Sequence, residues 1–339
     1  MRAPRLVCGI LLLAGAALGW GGRAHGIINR VAVRMLPEDG PAFLKAYEEW
    51  IAQRAGVPDT WRQISEPFLK IEEDPNHGWF REQFSFLKEI PRSRYEFVLA
   101  VYDEYLRIKD KDPARARLTN VRWTGTLPYA AMESYERLKS GMRLYRAQKA
   151  AGKDTHFIEL DLAFYMGWLG HYVGDGAMPL HDSIHSEGWK GPNPRGYTTS
   201  ASIHGRFESA FVELIAAEPG DVGPLVGKPV CLADPFEAIL QHLDRSTSLV
   251  EEVYRMDQRG AFADKTDEAA RKLVYGQLAA AAGLLRDLTY TAWVESAKEP
   301  ERPPKPIGAT GLQHSGNPES LDNPRYNPAT GSAPAPRPR

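Results

Sequence analysis

The chain has 339 residues, with 42 basic against 43 acidic side chains and a formal net charge of −1. So even a balance gives no electrostatic footprint for duplex nucleic acid, although it leaves room for a nuclease that works through metal ions. Length and a 43% hydrophobic content fit one large domain with a core of its own.

The first segment reads as a secretory leader. Arg2 and Arg5 precede an apolar run from Leu6 to Leu18, and Ala17-Leu18-Gly19 offers small residues where a signal peptidase reads. The run is too short for a comfortable membrane span. Cleavage after Gly19 makes Trp20 the new first residue and places the protein outside the cytoplasm, secreted or periplasmic. Cys8 leaves with the leader, so the mature chain keeps Cys231 alone and forms no internal disulfide. An exported chain without disulfides needs another source of stability, such as a good core or a bound metal.

Apolar residues then recur at three- and four-residue steps, the mark of amphipathic helices. Such segments run from His25 to Leu36 (stopped by Pro37), Phe43 to Ala55, Arg92 to Lys109 and Leu127 to Ala147. The stretch from Glu159 to Val173 is apolar on nearly all sides, which predicts a central buried helix. His204 to Ala216, Pro235 to Tyr254 and Thr266 to Glu295 complete the set. Strand-like alternation is scarce, and there is no repeat or Gly-rich phosphate loop. The expected fold is all-α, one compact multi-helix domain over 20–298. Residues 299–339 are rich in Pro, Gly, Asn and Ser, a composition expected to be disordered. The long connection from Asp182 to Ser202 is the expected rim of a site.

The chemistry concentrates in His171-Tyr-Val-Gly-Asp175-Gly-Ala-Met-Pro-Leu-His181 and His204-Gly-Arg-Phe-Glu208. His171/Asp175 and His204/Glu208 are each four apart, so on helices each pair projects from one face. Imidazole and carboxylate are ligands for zinc and similar cations. A lone buried histidine is usually a satisfied core residue. An unpaired aspartate at the end of the most apolar helix, however, costs several kcal/mol to bury ionised. A cation removes that cost. Spacing alone therefore predicts a metal cluster.

The pattern His171-x3-Asp175-x5-His181 with Pro179-Leu180, then His204-x3-Glu208, resembles the zinc-dependent phospholipase C and single-strand nuclease superfamily. Trp20, with His25 five residues on, is similar to the N-terminus of its nuclease branch. Pro58-Asp59-Thr-Trp61-Arg62 and Pro75-Asn76-His77 look like its upstream aspartate and second histidine. The resemblance covers about Trp20 to Leu214. It implies three Zn²⁺ ions: one held by Asp59, His77, His171 and Asp175, one by His181, His204 and Glu208, and one by Trp20 (terminal amine and carbonyl), His25 and a bridging Asp175. It implies hydrolysis of a phosphodiester by a water shared between zinc ions, with Asp59 as its orienter or proton acceptor. Arg62 and Arg206 are read as surface or ion-pair residues rather than phosphate contacts. Glu72, Glu73 and Asp74 lie closer to His77 than Asp59 does and compete with it as the upstream ligand. The preferred reading of those three is a solvated acidic loop.

The substrate stays open. The Trp20/His25 spacing leans towards a nuclease or nucleotidase acting on single-stranded nucleic acid or a nucleotide. Glu208, where fungal and plant nucleases carry aspartate, leans towards a phospholipase C. Trp79 and Phe80 stand near the nucleases' base-stacking position, without the expected acid, and are equally read as core. A metal-stabilised binding protein without catalysis is the third reading. No stable protein partner is implied, and no transmembrane segment is expected in the mature chain.

Overall fold

The computed structural model describes residues 20–299. The expected leader, 1–19, and all of the expected tail except Glu299 lie outside those residues. Among them the structure is all-α, with one isolated antiparallel bridge between Trp79 and Gly125. No helix of the described residues is long and apolar enough to cross a membrane.

The helix His156–Asp175 is central. It packs against Gly22–Arg34, Glu48–Arg54, Leu127–Ala150 and Glu268–Ser296. Leu162, Ala163, Met166, Leu169, Tyr172 and Val173 are all buried on it, which is why its sequence carries no polar face. Its glycines set how closely neighbours approach. A Cβ on Gly170 would lie 2.2 Å from Asn29 Oδ1, and one on Gly174 would lie 2.8 Å from His25 Nδ1. The first helix therefore lies close enough to set His25 against the last turn of the central helix.

Most predicted helices are present with shifted ends. Glu159 to Val173 is observed as His156–Asp175, and Arg92 to Lys109 as Arg94–Ile108 with Ser93 accepting from the Glu96 amide. Phe43 to Ala55 divides into a 3₁₀ segment Ala42–Tyr47 and an α-helix Glu48–Arg54. Pro235 to Tyr254 is not one helix but two, Pro235–Thr247 and Val250–Gln258. His204 to Ala216 is a helix with a π-helical turn, Arg206–Ala210, between Ser202–Gly205 and Phe211–Leu214. The short helices Val57–Thr60, Pro67–Glu73, Pro113–Leu118 and Val121–Thr124 carry no periodic signal and were not expected.

Candidate metal centre

Six segments deliver the candidate ligands to one place. The first helix brings His25, and Val57–Thr60 brings Asp59. The 3₁₀ turn Asp74–His77 brings His77, and the end of the central helix brings His171 and Asp175. Pro179–Asp182 carries His181, and the helix with the π turn carries His204 and Glu208. Backbone bonds fix the approach of the second histidine. Trp79 N donates to His181 O at 2.9 Å, Phe80 N to Thr124 O at 2.9 Å and Thr126 N to Pro75 O at 2.7 Å. Gly125, at φ 80°, makes room for this crossing, since a Cβ there would meet Gly78 O at 1.8 Å.

The tautomers follow from the outer hydrogen bonds. His171 Nδ1 donates to the Ala55 carbonyl at 2.7 Å, which leaves Nε2 bare. His77 Nε2 donates to Glu73 Oε1 at 3.1 Å, and the Tyr172 hydroxyl donates to the same oxygen at 2.6 Å. That leaves His77 Nδ1 bare, 3.0 Å from His171 Nε2 and 2.8 Å from Asp175 Oδ2. Asp59 Oδ1 lies 3.8 Å and 3.9 Å from the same two nitrogens. Lone pairs that face one another this closely repel unless a proton or a cation sits between them.

The same arrangement recurs beside it. His204 Nδ1 donates to the Ser186 carbonyl at 3.1 Å, so its Nε2 is the bare atom. That nitrogen lies 3.1 Å from His181 Nε2 and 3.1 Å from Glu208 Oε2. Asp175 joins the groups, with Oδ1 3.4 Å from His25 Nε2 and Oδ2 3.7 Å from His181 Nδ1. Its two oxygens thus face different histidines, as a bridging carboxylate requires.

Burial makes these contacts costly without a cation. His171, Asp175 and Glu208 are each 0% exposed. His25 Nδ1 and Nε2, Asp59 Oδ1, Asp175 Oδ1, His181 Nδ1 and both Glu208 oxygens are buried without a hydrogen-bond partner among the described residues. Native folds leave few such atoms. Three residue groups could hold a metal: His25/Asp59/His171, His77/His171/Asp175 and His181/His204/Glu208. The donor chemistry suits zinc or a similar borderline cation.

Protonation is perturbed accordingly. Burial depresses the pKa of His25, and His171 beside it adds to the effect. Burial also opposes a charge on His171, yet Asp175 and Asp59 raise its pKa to about 9. Burial works against the Glu208 carboxylate, but His204 and His181 hold its pKa below the usual range. A proton on His171 is thus the alternative to a cation.

The sequence expectations fare unevenly. His25, Asp59, His77, His171, Asp175, His181, His204 and Glu208 converge. His25 falls in with Asp59 and His171 as well as facing Asp175, and its ring stacks on His171 at 4.3 Å. Trp20 is buried, its indole 5.6 Å from Phe207. The solvated-loop reading of Glu72 to Asp74 fails: Glu72 is exposed but belongs, with Glu73, to the helix Pro67–Glu73. Glu73 is 5% exposed and supports His77 from behind, away from the cluster. Asp74 pairs with Lys70 and Arg62. The clue was in the sequence: Glu73 and His77 are four apart. Trp79 belongs to the core, beside Phe84 and Phe97. Arg206 is an ion-pair residue, 2.8 Å from Asp257. Arg62 pairs with Asp74 at 3.3 Å and Asp59 at 3.6 Å.

The centre opens into a cleft of about 530 Å³, into which His77, His181 and His204 all face, with Phe80, Trp123 and Arg122 on its walls. Ser186 and Lys190, from the connection expected to form a rim, also line it. That loop is anchored from outside. His185 stacks on Trp189 at 3.9 Å, Tyr254 donates to His185 O at 2.6 Å, and Tyr197 donates to Glu251 at 3.0 Å.

Compared with known proteins, the sequence matches no family profile and no curated protein.

Proposed function

We propose that the protein is a metal-dependent phosphodiester hydrolase of the zinc-dependent phospholipase C and single-strand nuclease type. The observation that carries this reading is the convergence of bare imidazole nitrogens and unpartnered carboxylate oxygens around the buried Asp175, next to an open cleft that His77, His181 and His204 line. Such a set has little use in a core and suits cations that serve a substrate from one side.

Asp59, His77, His171 and Asp175 would hold one ion, and His181, His204 and Glu208 a second. Trp20, His25 and Asp175 would hold a third. Divalent cations so placed lower the pKa of water towards neutrality and offset charge on phosphoryl oxygens. The chain does the rest. Asp59 Oδ1, buried and without a hydrogen-bond partner among the described residues, orients the attacking water and accepts its proton. Arg62, at the cleft and beside Asp59, holds that carboxylate in place. Glu73 and Ala55 fix the His77 and His171 rings. The reading includes export, with removal of residues 1–19 to free the Trp20 amine.

Single-stranded nucleic acid or a nucleotide is the first substrate class, since Phe80 and Trp123 offer flat faces in the cleft. Phospholipid is the second, favoured by the exposed apolar side chains of Leu118 and Trp123 on the cleft wall. The test is a zinc count alongside hydrolysis of single-stranded DNA, RNA, a 3′-nucleotide and phosphatidylcholine. Zinc-loaded protein that cleaves none of them, nor a chromogenic diester, returns the molecule to the non-catalytic reading. Full turnover by metal-depleted Asp175→Ala protein instead refutes the metal-dependent mechanism.

A further inference from the structure

The helix Pro67–Glu73 stands off the body. Residues 63–69 and 71–72 are all exposed, and the helix packs chiefly on the turn Asp74–His77 that follows it. It is nonetheless apolar where it meets water. Ile64 is 89% exposed, Phe68 87%, Ile71 62% and Leu69 42%. Phe68 and Ile71, three apart, share a helix face. On the cleft wall, Leu118 and Trp123 are also exposed. Isolated exposed apolar residues are ordinary, whereas a grouped set beside a site marks an interaction surface.

Cations are interleaved with these side chains. Arg62, Lys70 and Arg122 all approach Asp74, at 3.3, 2.9 and 3.9 Å, which ties Pro67–Glu73 to Val121–Thr124 across the cleft mouth. Lys190 adds a fourth cation at the cleft. The nearby carboxylates are Glu66, Glu72 and Glu187, besides Asp74 itself. The chemistry selects among occupants. Base stacking needs flat aromatic faces, and Ile64, Leu69 and Ile71 have none. Aliphatic and aromatic side chains mixed with Arg and Lys suit the boundary between phospholipid headgroups and acyl chains.

We propose that this rim docks on a phospholipid bilayer, with Ile64, Phe68 and Ile71 entering the headgroup–acyl boundary and the neighbouring cations meeting lipid phosphate. The cleft then opens towards the membrane, and a lipid phosphate can reach it while the acyl chains stay in the bilayer. The purpose of docking rests on the phosphodiesterase reading, in its phospholipid form. The docking itself is measured without hydrolysis.

The experiment is co-sedimentation of the full exported chain with vesicles of phosphatidylcholine containing a minority of phosphatidylserine. The wild type is compared with the triple variant Ile64→Ser, Phe68→Ser, Ile71→Ser. The expected result is vesicle binding weakened by about tenfold or more in the variant, with an unchanged melting temperature and unchanged hydrolysis of a soluble chromogenic diester. Equal binding by the two proteins, or no binding by either, overturns the proposal. A wild-type dimer lost in the variant reassigns the rim to a second copy of the chain. Oligonucleotide binding lost in the variant, without vesicle binding, reassigns it to nucleic acid. Diester hydrolysis without vesicle binding defeats the docking proposal and leaves the phosphodiesterase reading standing.

Discussion

Replacing Asp175 by asparagine keeps the shape of the side chain and removes its charge. The carboxylate reaches three histidines of the centre closely, with Oδ2 at 2.8 Å from His77 Nδ1 and 3.3 Å from His171 Nε2, and Oδ1 at 3.4 Å from His25 Nε2. An amide nitrogen in place of either oxygen points donors where a cation would sit. Even an outer partner of a ligand is typically worth 10–100-fold in metal affinity. A direct ligand that faces two groups is expected to cost at least about 100-fold for each, or roughly 2.7 kcal/mol. The group His181/His204/Glu208 keeps its own three ligands. Asp175→Asn should therefore lose the ions on the His25, His77 and His171 side and retain the one on the other. Elemental analysis after dialysis against a weak chelator reads this directly, with circular dichroism to confirm the fold. A variant that retains the full wild-type zinc content, or loses all of it while folded, refutes the bridging role.

Glu73→Gln should weaken zinc binding by about 10–100-fold with the helical content unchanged, because the amide supports His77 Nε2 less strongly than a carboxylate does. Chelator competition measures it, and an unchanged affinity removes Glu73 from the centre. An N-terminal extension retained before Trp20 should lower the zinc count relative to protein that begins at Trp20, and equal counts exclude the terminal amine as a ligand. Acid should oppose zinc. His171, with a pKa raised to about 9, carries a proton at neutral pH in metal-depleted protein, and zinc must displace it. Calorimetry in buffers of different ionisation enthalpy should find proton release on zinc binding at pH 7, and none would be contrary. The stability of metal-depleted protein runs in the matching sense. The contribution of His171 is fully present below pH 6.5 and is lost as pH rises through about 9, on the order of 3 kcal/mol. Denaturant melts across that window test the sign.

Helices that bury a long stripe were legible because burial writes the 3.6-residue period into the sequence. The central helix was legible for the opposite reason, since an element surrounded on all sides carries no polar face. The division after Thr247 was not. The two helices around it bury residues at continuous spacing, and Ser248-Leu249 holds neither Pro nor Gly to mark a break. Pro67–Glu73 was hidden because it buries almost nothing. At the site, the ligand pairs on helices were visible from their four-residue spacing. The placing of Glu73 was not resolved, because a run of three acids reads as a wet loop until a buried histidine is found beside one of them. Trp79 and Phe80, adjacent in sequence, part company at an extended step, one into the core and one into the cleft.

The π-helical turn Arg206–Ala210 has a wider bearing. It fits an additional residue into a helix that otherwise keeps the ordinary pitch. Upstream of it His204 faces the candidate ligand cluster, within it Phe207 meets Trp20 and Glu208 faces the cluster, and downstream Phe211 packs on Phe262. The turn sets the phase between these obligations, so that one rod can serve the centre, the first described residue and the core. Deleting a single residue there would restore a regular α-helix and rotate one end against the other by about 100°. The core and the centre would then compete for the same stretch of chain.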